Sequence, residues 1–339
     1  MMNKGSRISE LISRLGLDMD SYEKIKGYSI AIIGVGNLGA SIAKHLAING
    51  VDKVRIIDPD FLNYRDIYFS NVFQYRHHGL LKVEALKKIL QYIRPGIDVT
   101  SYPLGIGPWN IERILRNIDI VIDATDNMAT KFLVNRYIVK HSIPAIHTYV
   151  DEGYGYTVWT DASKCLECIF DLDRNLDIFF DGTSLETIYS TTSSMVADLS
   201  LKYMVNGVDI PSGEIFKVGG VEIIRINRDA KCKIHTDESY DISYDLDFDY
   251  QYVFNNGTFI YTSDEKVRLD LEPLAREIAK NYILIRRGEM GILFEYKDSV
   301  KVGVSYTGSI MVDGVRSVDE GYVIVSNLVD KIFHRYVID

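Results

Sequence analysis

A chain of 339 residues, 47% hydrophobic and 25% charged, has the composition of a soluble globular protein with room for more than one domain. Its net charge of −9 argues against a general nucleic-acid binder, whose affinity rests on neutralising phosphates with lysine and arginine. No apolar run is long enough to span a bilayer, the opening MMNKGSRISELISRLG lacks a signal peptide's apolar core, and three cysteines are too few for a disulfide framework, so a cytoplasmic chain with metal or thiol chemistry is expected.

Residues 1–27 read as an N-terminal helical arm. YSIAIIG (28–34) is predicted to be a buried strand, and ASIAKHLAING (40–50) a helix with Ile42, Ala43 and Leu46 on one face and Gly50 as its terminator. VDKVRIID (51–58) is a second strand. LKVEALKKILQYI (81–93) carries Val83, Leu86, Ile89, Leu90 and Ile93 at helical spacing and stops at Arg94-Pro95-Gly96. Strands at DVTSYPL and 118–124, a helix at 127–141 and a strand at 143–150 complete an alternation that means an α/β, doubly wound parallel sheet.

Past residue 150 the order changes. An antiparallel strand is expected at 155–161, an irregular polar crossing over 169–190, a helix at 192–207 and a strand-rich stretch at 214–228. The fold expected over 28–236 is therefore Rossmann-like and mostly parallel, with an antiparallel continuation. An acidic linker is placed at 237–250, within TDESYDISYDLDFDY. Residues 251–339 read as a small C-terminal α+β domain: an Asn-Gly hairpin, a helix at about 269–281, three strands (YILIRR, GILFEYK, VKVGVSY) and a last helix with a Ser317/Glu320 capping box.

Three constellations carry chemistry. In GVGNLG, Gly34 permits a tight turn, Gly36 lets backbone N–H groups approach a phosphate and Gly39 lets helix pack on strand, with Asn37 in the same loop. Asp58 ends the next strand, where a carboxylate can accept ribose hydroxyls. These features point to a nucleotide without separating NAD from ATP. Lys82 sits in the first turn of its helix, where a cation opposes the dipole unless a polyphosphate is bound; the alternative is a solvated surface lysine. Asp126 and Asn127 fall at the carboxyl end of a parallel strand, where Asp126 can hold Mg2+ on a nucleotide or cap the next helix. Hydride transfer needs neither the lysine nor the carboxylate, whereas adenylation needs both, which favours ATP. Finally, Cys165-x-x-Cys168 and Cys232-x-x-His235 make a four-ligand set suited to structural zinc, the alternative being a redox CxxC with an incidental second pair.

Taken together, GVGNLG, DPD (58–60), GLLKVEAL, DATDN and the paired CxxC and INRDAKCKIH segments resemble the ubiquitin-activating superfamily in its ThiF/MoeB/HesA branch, over roughly residues 7–236. The opening SRISELISRLGLDMDSYEKIKGYSIAIIGVG also resembles ufmylation-type activating enzymes. The resemblance implies ATP-dependent adenylation of the C-terminal glycine carboxylate of a ubiquitin-like or sulfur-carrier β-grasp protein; charge and hydropathy leave no role expected for nucleic acid or membrane. It implies that Gly34 and Gly36 hold phosphate, Asp58 the ribose, Lys82 the phosphates and Asp126 the magnesium. In a homodimer, Arg7 would reach the neighbouring ATP. Two departures stand out. Asp66 and Phe69 occupy the places of a family asparagine and a phosphate-binding arginine, with Arg65 or Arg76 as nearby substitutes. No cysteine lies between residues 169 and 231, so no in-chain thiolate remains to form a thioester if zinc takes all three. The alternatives are a catalytically weak nucleotide-binding homologue that serves a partner, and an NAD-dependent oxidoreductase.

Overall fold

The computed structural model describes residues 13, 18–161, 163–169, 184–207, 214–220, 222–225, 232–236, 251–255, 257–263 and 267–338. Arg7 with most of the N-terminal arm, residues 170–183 of the polar crossing and the acidic linker at 237–250 lie outside them. The first described helix, α1 (Met19–Gly27), is capped by Asp18, whose carboxylate accepts from the Ser21 N–H at 2.8 Å, and buries Tyr22 and Ile25.

Alternating elements then build the first sheet: β1 (Ser29–Ile33), α2 (Asn37–Ile48), β2 (Lys53–Ile57), α3 (Tyr64–Tyr68), α4 (Lys82–Ile93), β3 (Asp98–Tyr102), α5 (Ile111–Leu115), β4 (Ile120–Asp123), α6 (Met128–His141) and β5 (Ala145–Asp151). The chain continues through β6 (Tyr154–Thr160), α7 (Leu166–Ile169), α8 (Glu186–Asn206), β7 (Glu214–Val218), β8 (Glu222–Arg225) and α9 (Lys233–Thr236). The strand order is β3-β2-β1-β4-β5-β6-β7-β8. The first five strands pair in parallel and the last three antiparallel, as the change of periodicity after residue 150 implies. The parallel strands are buried on both faces, so Ile30, Ile32 and Ile56 pack with Ile42, Leu46, Leu86, Leu90 and Val196 on one side, and Ala31, Ile33 and Val121 with Ile114, Phe132 and Leu133 on the other.

One boundary differs from expectation. The helix expected at 192–207 begins six residues earlier, at Glu186, inside the stretch read as an irregular crossing. Its serines and threonines weaken the helical signal, but Thr191, Thr192, Ser194 and Ser200 donate their hydroxyls to carbonyls four residues back, so the side chains that ordinarily compete with a helix are satisfied within it.

The second sheet contains β9 (Tyr252–Asn255), β10 (Thr258–Tyr261), β11 (Ile283–Arg287), β12 (Gly291–Lys297), β13 (Val300–Ser305) and β14 (Ile310–Asp313) in the order β11-β12-β13-β14-β10-β9, with helices α10 (Leu271–Asn281) and α11 (Val318–Lys331). The hairpin turns with Gly257 at φ +80°. Strand β14 is absent from the sequence reading, because SIMVDG is short and lacks clear alternation of polar and apolar residues. Ser317 caps α11 by accepting from the Glu320 N–H, but Glu320 accepts in return from the Arg316 N–H rather than from the cap residue. Alternate residues Phe259, Ile292, Phe294, Val302, Val304, Ile310 and Val312 pack against Leu274, Ile278, Val325 and Leu328 of the two helices. The opposite face turns to the first sheet.

Two contacts seat that face. The Phe61 ring lies where a side chain on Gly291 or Gly303 would stand, so only glycine admits it. The Glu84 carboxylate, 1% exposed, accepts from the Glu289 N–H at 2.9 Å and the Met290 N–H at 3.0 Å. Gly303→Val would push a branched side chain into Phe61, and a loss of about 1–3 kcal/mol is expected in denaturant unfolding.

Candidate functional site

The strand order reverses between β1 and β4, so the loops leaving their carboxyl ends part and open a crevice. Gly34 follows β1 at φ +79°, a left-handed conformation that glycine adopts without a Cβ penalty. A Cβ on Gly39 would strike the Gly34 carbonyl, while one on Gly36 would point into open space. Gly36 is the N-cap of α2 and makes no side-chain cap bond, leaving the first-turn N–H groups without that partner. Gly34, Gly36 and Asn37 line a cavity of about 580 Å³. Gly39 stays behind it as the packing glycine.

Asp58, 6% exposed, accepts from the Val35 N–H and the Asp60 N–H, each at 2.8 Å, one on each carboxylate oxygen. It therefore braces the glycine loop, and each oxygen of this cavity-lining carboxylate keeps a second lone pair. Burial pushes its pKa up to about 7, against the pull of Lys82. A raised folded pKa means that the folded state binds more protons than the unfolded state between about pH 4 and 7. The stabilisation is present below pH 4 and is lost as pH rises through 7. Asp58→Asn is expected to flatten the fall in melting temperature across that window.

Lys82 is 8% exposed, which overturns the solvated-surface alternative. Its Nζ lies 2.8 Å from Asp60 Oδ2 and 3.4 Å from Asp66 Oδ1. Burial alone would lower the lysine pKa, but Asp60, Asp66 and Asp58 outweigh it and hold the value well above the usual one. Asp66 has two tasks. Asp66 Oδ2 accepts from the Asn63 N–H while Asn63 accepts from the Asp66 N–H, a capping box for α3, and Oδ1 faces Lys82. Phe69 closes α3 at the cavity wall and is 46% exposed. Arg65 also lines the cavity, whereas Arg76 does not and turns its Nε onto His77.

Asp126 and Asn127 reach the cavity from the loop after β4. Asn127, not Asp126, caps α6, accepting from the Thr130 N–H at 2.8 Å. Asp126 opens onto the cavity, and the surrounding protein together with the Asp60 carboxylate raises its pKa. Four buried atoms on the wall, Asn37 Oδ1, Asp60 Oδ1, Asn127 Nδ2 and Ser184 Oγ, have no hydrogen-bond partner among the described residues. Leaving such groups unpaired costs about 1–3 kcal/mol each, which a polar ligand would relieve.

Beneath the wall lies a cluster that the sequence reading missed. Asp123, fully buried, accepts from His147 Nδ1 at 2.9 Å and from the Thr125 hydroxyl, with Lys131 Nζ at 3.3 Å. Burial raises the Asp123 pKa, but Lys131 and His147 overcome it and set the value at about 2, while burial lowers that of His147 against the pull of Asp123. Lys131, directly before the largely apolar FLVNRYIV, was the available signal: the polar side chain stands in a helix buried on most of its faces.

The two chelating pairs converge. The Sγ atoms of Cys165, Cys168 and Cys232 and a ring nitrogen of His235 all lie within 4.8 Å of one another, with Cys165–Cys232 at 3.6 Å and Cys168–His235 at 3.4 Å. A tetrahedral ion with bonds of about 2.3 Å needs ligand separations of about 3.8 Å, so the set fits zinc. Asn135 of α6 accepts from the Leu166 N–H, and Arg136, 1% exposed, pairs with Glu167, so one helix caps the cavity at its start and buttresses the Cys/His cluster further along.

The other wall of the cavity comes from the second sheet. Val253, Asn255, Thr258, Ile260, Thr262, Leu293, Lys301, Met311 and Asp313 occupy the face turned away from its helices. No sequence motif marked these positions; the signal in the sequence is the polar residue at one end of KVGV and IMVD, Lys301 and Asp313, which fall on the inner face.

A crevice with a glycine loop on one lip, a buried lysine among carboxylates on its floor and a Cys/His cluster behind it defines a nucleotide-binding α/β protein. The chain belongs to the ThiF family, whose model matches residues 9–232. It is 26% identical over 230 residues to protein HesA of Leptolyngbya boryana, covering 65% of this chain and 81% of that one. It is 30% identical over 153 residues to the sulfur carrier protein ThiS adenylyltransferase of Bacillus subtilis, covering 44% of this chain and 46% of the relative, so it spans about half that protein's length. A crystal structure of Escherichia coli MccB with ATP shares the fold at 18% identity and a TM-score of 0.56, covering 64% of this chain and 69% of MccB. No described helix is long and apolar enough to cross a membrane.

Proposed function

We propose that the chain is an ATP-dependent adenylyltransferase that activates the C-terminal glycine carboxylate of a ubiquitin-like or sulfur-carrier protein. The observation that carries this reading is one cavity lined by Gly34, Gly36, Asp58, Lys82, Asp126 and Asn127 in a chain of the ThiF family. A carboxylate oxygen of the carrier attacks the α-phosphorus of ATP. The bond to the bridging oxygen breaks, pyrophosphate leaves with the electron pair, and an acyl adenylate remains. The N–H groups at Gly34, Gly36 and Asn37 hold phosphate, Asp58 the ribose, and Lys82 and Arg65 the phosphates, with Asn127 beside them. Arg7 reaches the site from a second copy of the chain in a homodimer. Asp126 would hold Mg2+, which when bound offsets charge on the triphosphate.

Cys165, Cys168, Cys232 and His235 would hold a structural zinc ion. Since these are all the cysteines of the chain, the adenylate passes to an acceptor outside it. We assign the chain to the cytoplasm, where such thiols stay reduced.

ATP–pyrophosphate exchange in the presence of small proteins ending in Gly-Gly tests the reading. Exchange with one such carrier is expected, and absence of exchange with all of them would overturn it. A second reading, a catalytically weak homologue that binds nucleotide and a partner, is favoured by Phe69 and by the two carboxylates that already occupy Lys82. It expects ATP binding in calorimetry with negligible exchange. NAD binding without ATP binding would instead indicate an oxidoreductase.

A further inference from the structure

The triphosphate reading raises a problem of charge. The arginine expected in the segment after Asp58 is replaced by Phe69, and Lys82 is shared between Asp60 and Asp66. The cavity wall carries Asp58, Asp60, Asp66, Asp126 and Asp313. Arg65 is the other cation that α3 brings to this wall, so a polyanion entering such a space needs further positive charge.

The second sheet has a cation in position. Lys301 alternates with Val302 along β13: Val302 packs onto the helices, and Lys301 stands on the face that lines the cavity. Two residues on, Gly303 of that same face receives the Phe61 ring, which fixes β13 against the segment leading from Asp58 into α3. Across the sheet Lys301 is in register with Asp313, but Asp313 accepts from the Thr258 hydroxyl at 3.0 Å, and Lys301 has no ion pair among the described residues. Its location along the cavity follows from His78. The His78 ring stacks on Tyr64 of α3 with centroids 3.9 Å apart, and Lys301 is near enough to help lower the pKa of that imidazole, second to burial. Seated by the Gly303–Phe61 contact and lining the same cavity as His78 and Phe69, Lys301 belongs to the wall that α3 closes.

We propose that Lys301 is a phosphate-binding residue for the nucleotide, supplied by the second sheet in place of the missing arginine. The proposal rests on the adenylyltransferase reading for its ligand. It gives the C-terminal unit a part in the site: the cavity face of its sheet is polar at Lys301 because it meets a polyanion rather than a packed surface. Lysine suits this place as a point charge that can follow a triphosphate, where arginine would need a fixed fork.

Calorimetric titration of the full chain with Mg-ATP and with adenosine tests the assignment, using wild type, Lys301→Ala and Lys301→Arg, each first shown to be folded by its thermal transition. Loss of one charge-assisted contact is expected to weaken ATP about tenfold to a hundredfold in Lys301→Ala, with adenosine affinity unchanged. Lys301→Arg, keeping the charge, is expected to retain most of the ATP affinity. Equal ATP affinity in wild type and Lys301→Ala would overturn the role of Lys301 while leaving the nucleotide site intact. Failure of wild type to bind ATP at all would overturn both.

Discussion

Lys82→Ala is expected to lower ATP–pyrophosphate exchange by about a hundredfold or more and to destabilise the fold by about 3 kcal/mol. Both effects come from one ammonium. It is 10% exposed at the side chain and lies between Asp60 and Asp66, with Asp58 behind, so its removal leaves three carboxylates facing one another in a confined space. The two losses are separable. Adding Asp66→Asn to Lys82→Ala removes one of the stranded charges, so stability should return in part while exchange stays low. If exchange and stability recovered together, the lysine would be a strut and no part of the chemistry. Unchanged exchange in the single variant would count equally against its role.

Removal of metal is expected to have the second largest effect. Cys168→Ser, or chelation of the wild-type protein, should abolish bound zinc measured by elemental mass spectrometry and lower stability by several kcal/mol, since a structural site contributes its binding energy directly to folding. Asn127 and Asn135 are separated by about 12 Å along α6 at the usual rise per residue, so the folded fraction of the variant should bind ATP as wild type does. A zinc-free wild-type protein with an unchanged melting temperature would contradict the metal assignment.

How much of this was legible in the sequence depended on whether a signal was local. The glycine loop, Asp58 and the two Cys/His pairs were readable because each rests on a few adjacent residues whose spacing carries its own geometry. The parallel order was readable too, since buried isoleucine and valine runs alternate with helices. The Ser/Thr-rich start of α8 was not, because its helical state depends on hydroxyl-to-carbonyl bonds that propensity does not anticipate. The buried cluster of Asp123, Lys131 and His147 joins residues from β4, α6 and β5 that only the fold brings together. The burial of Lys82 was hidden for the same reason. Asp66 looked like a loss of function at its position, yet it caps α3 and pairs with Lys82 at once.

Glu84 carries a consequence for how the chain can be shortened. Its carboxylate grips the backbone at Glu289 and Met290 from within α4, two residues from Lys82, while Phe61 and Leu81 lie at 3% and 0% exposure in contact with the glycines of β12 and β13. A truncation before residue 251 would uncover an aromatic ring, a leucine and a carboxylate that the second sheet now buries, in a single cut. The family-matched portion of the chain is therefore not a detachable module here; an isolated piece ending there would expose a sticky flank beside its own nucleotide crevice and would tend to associate through it.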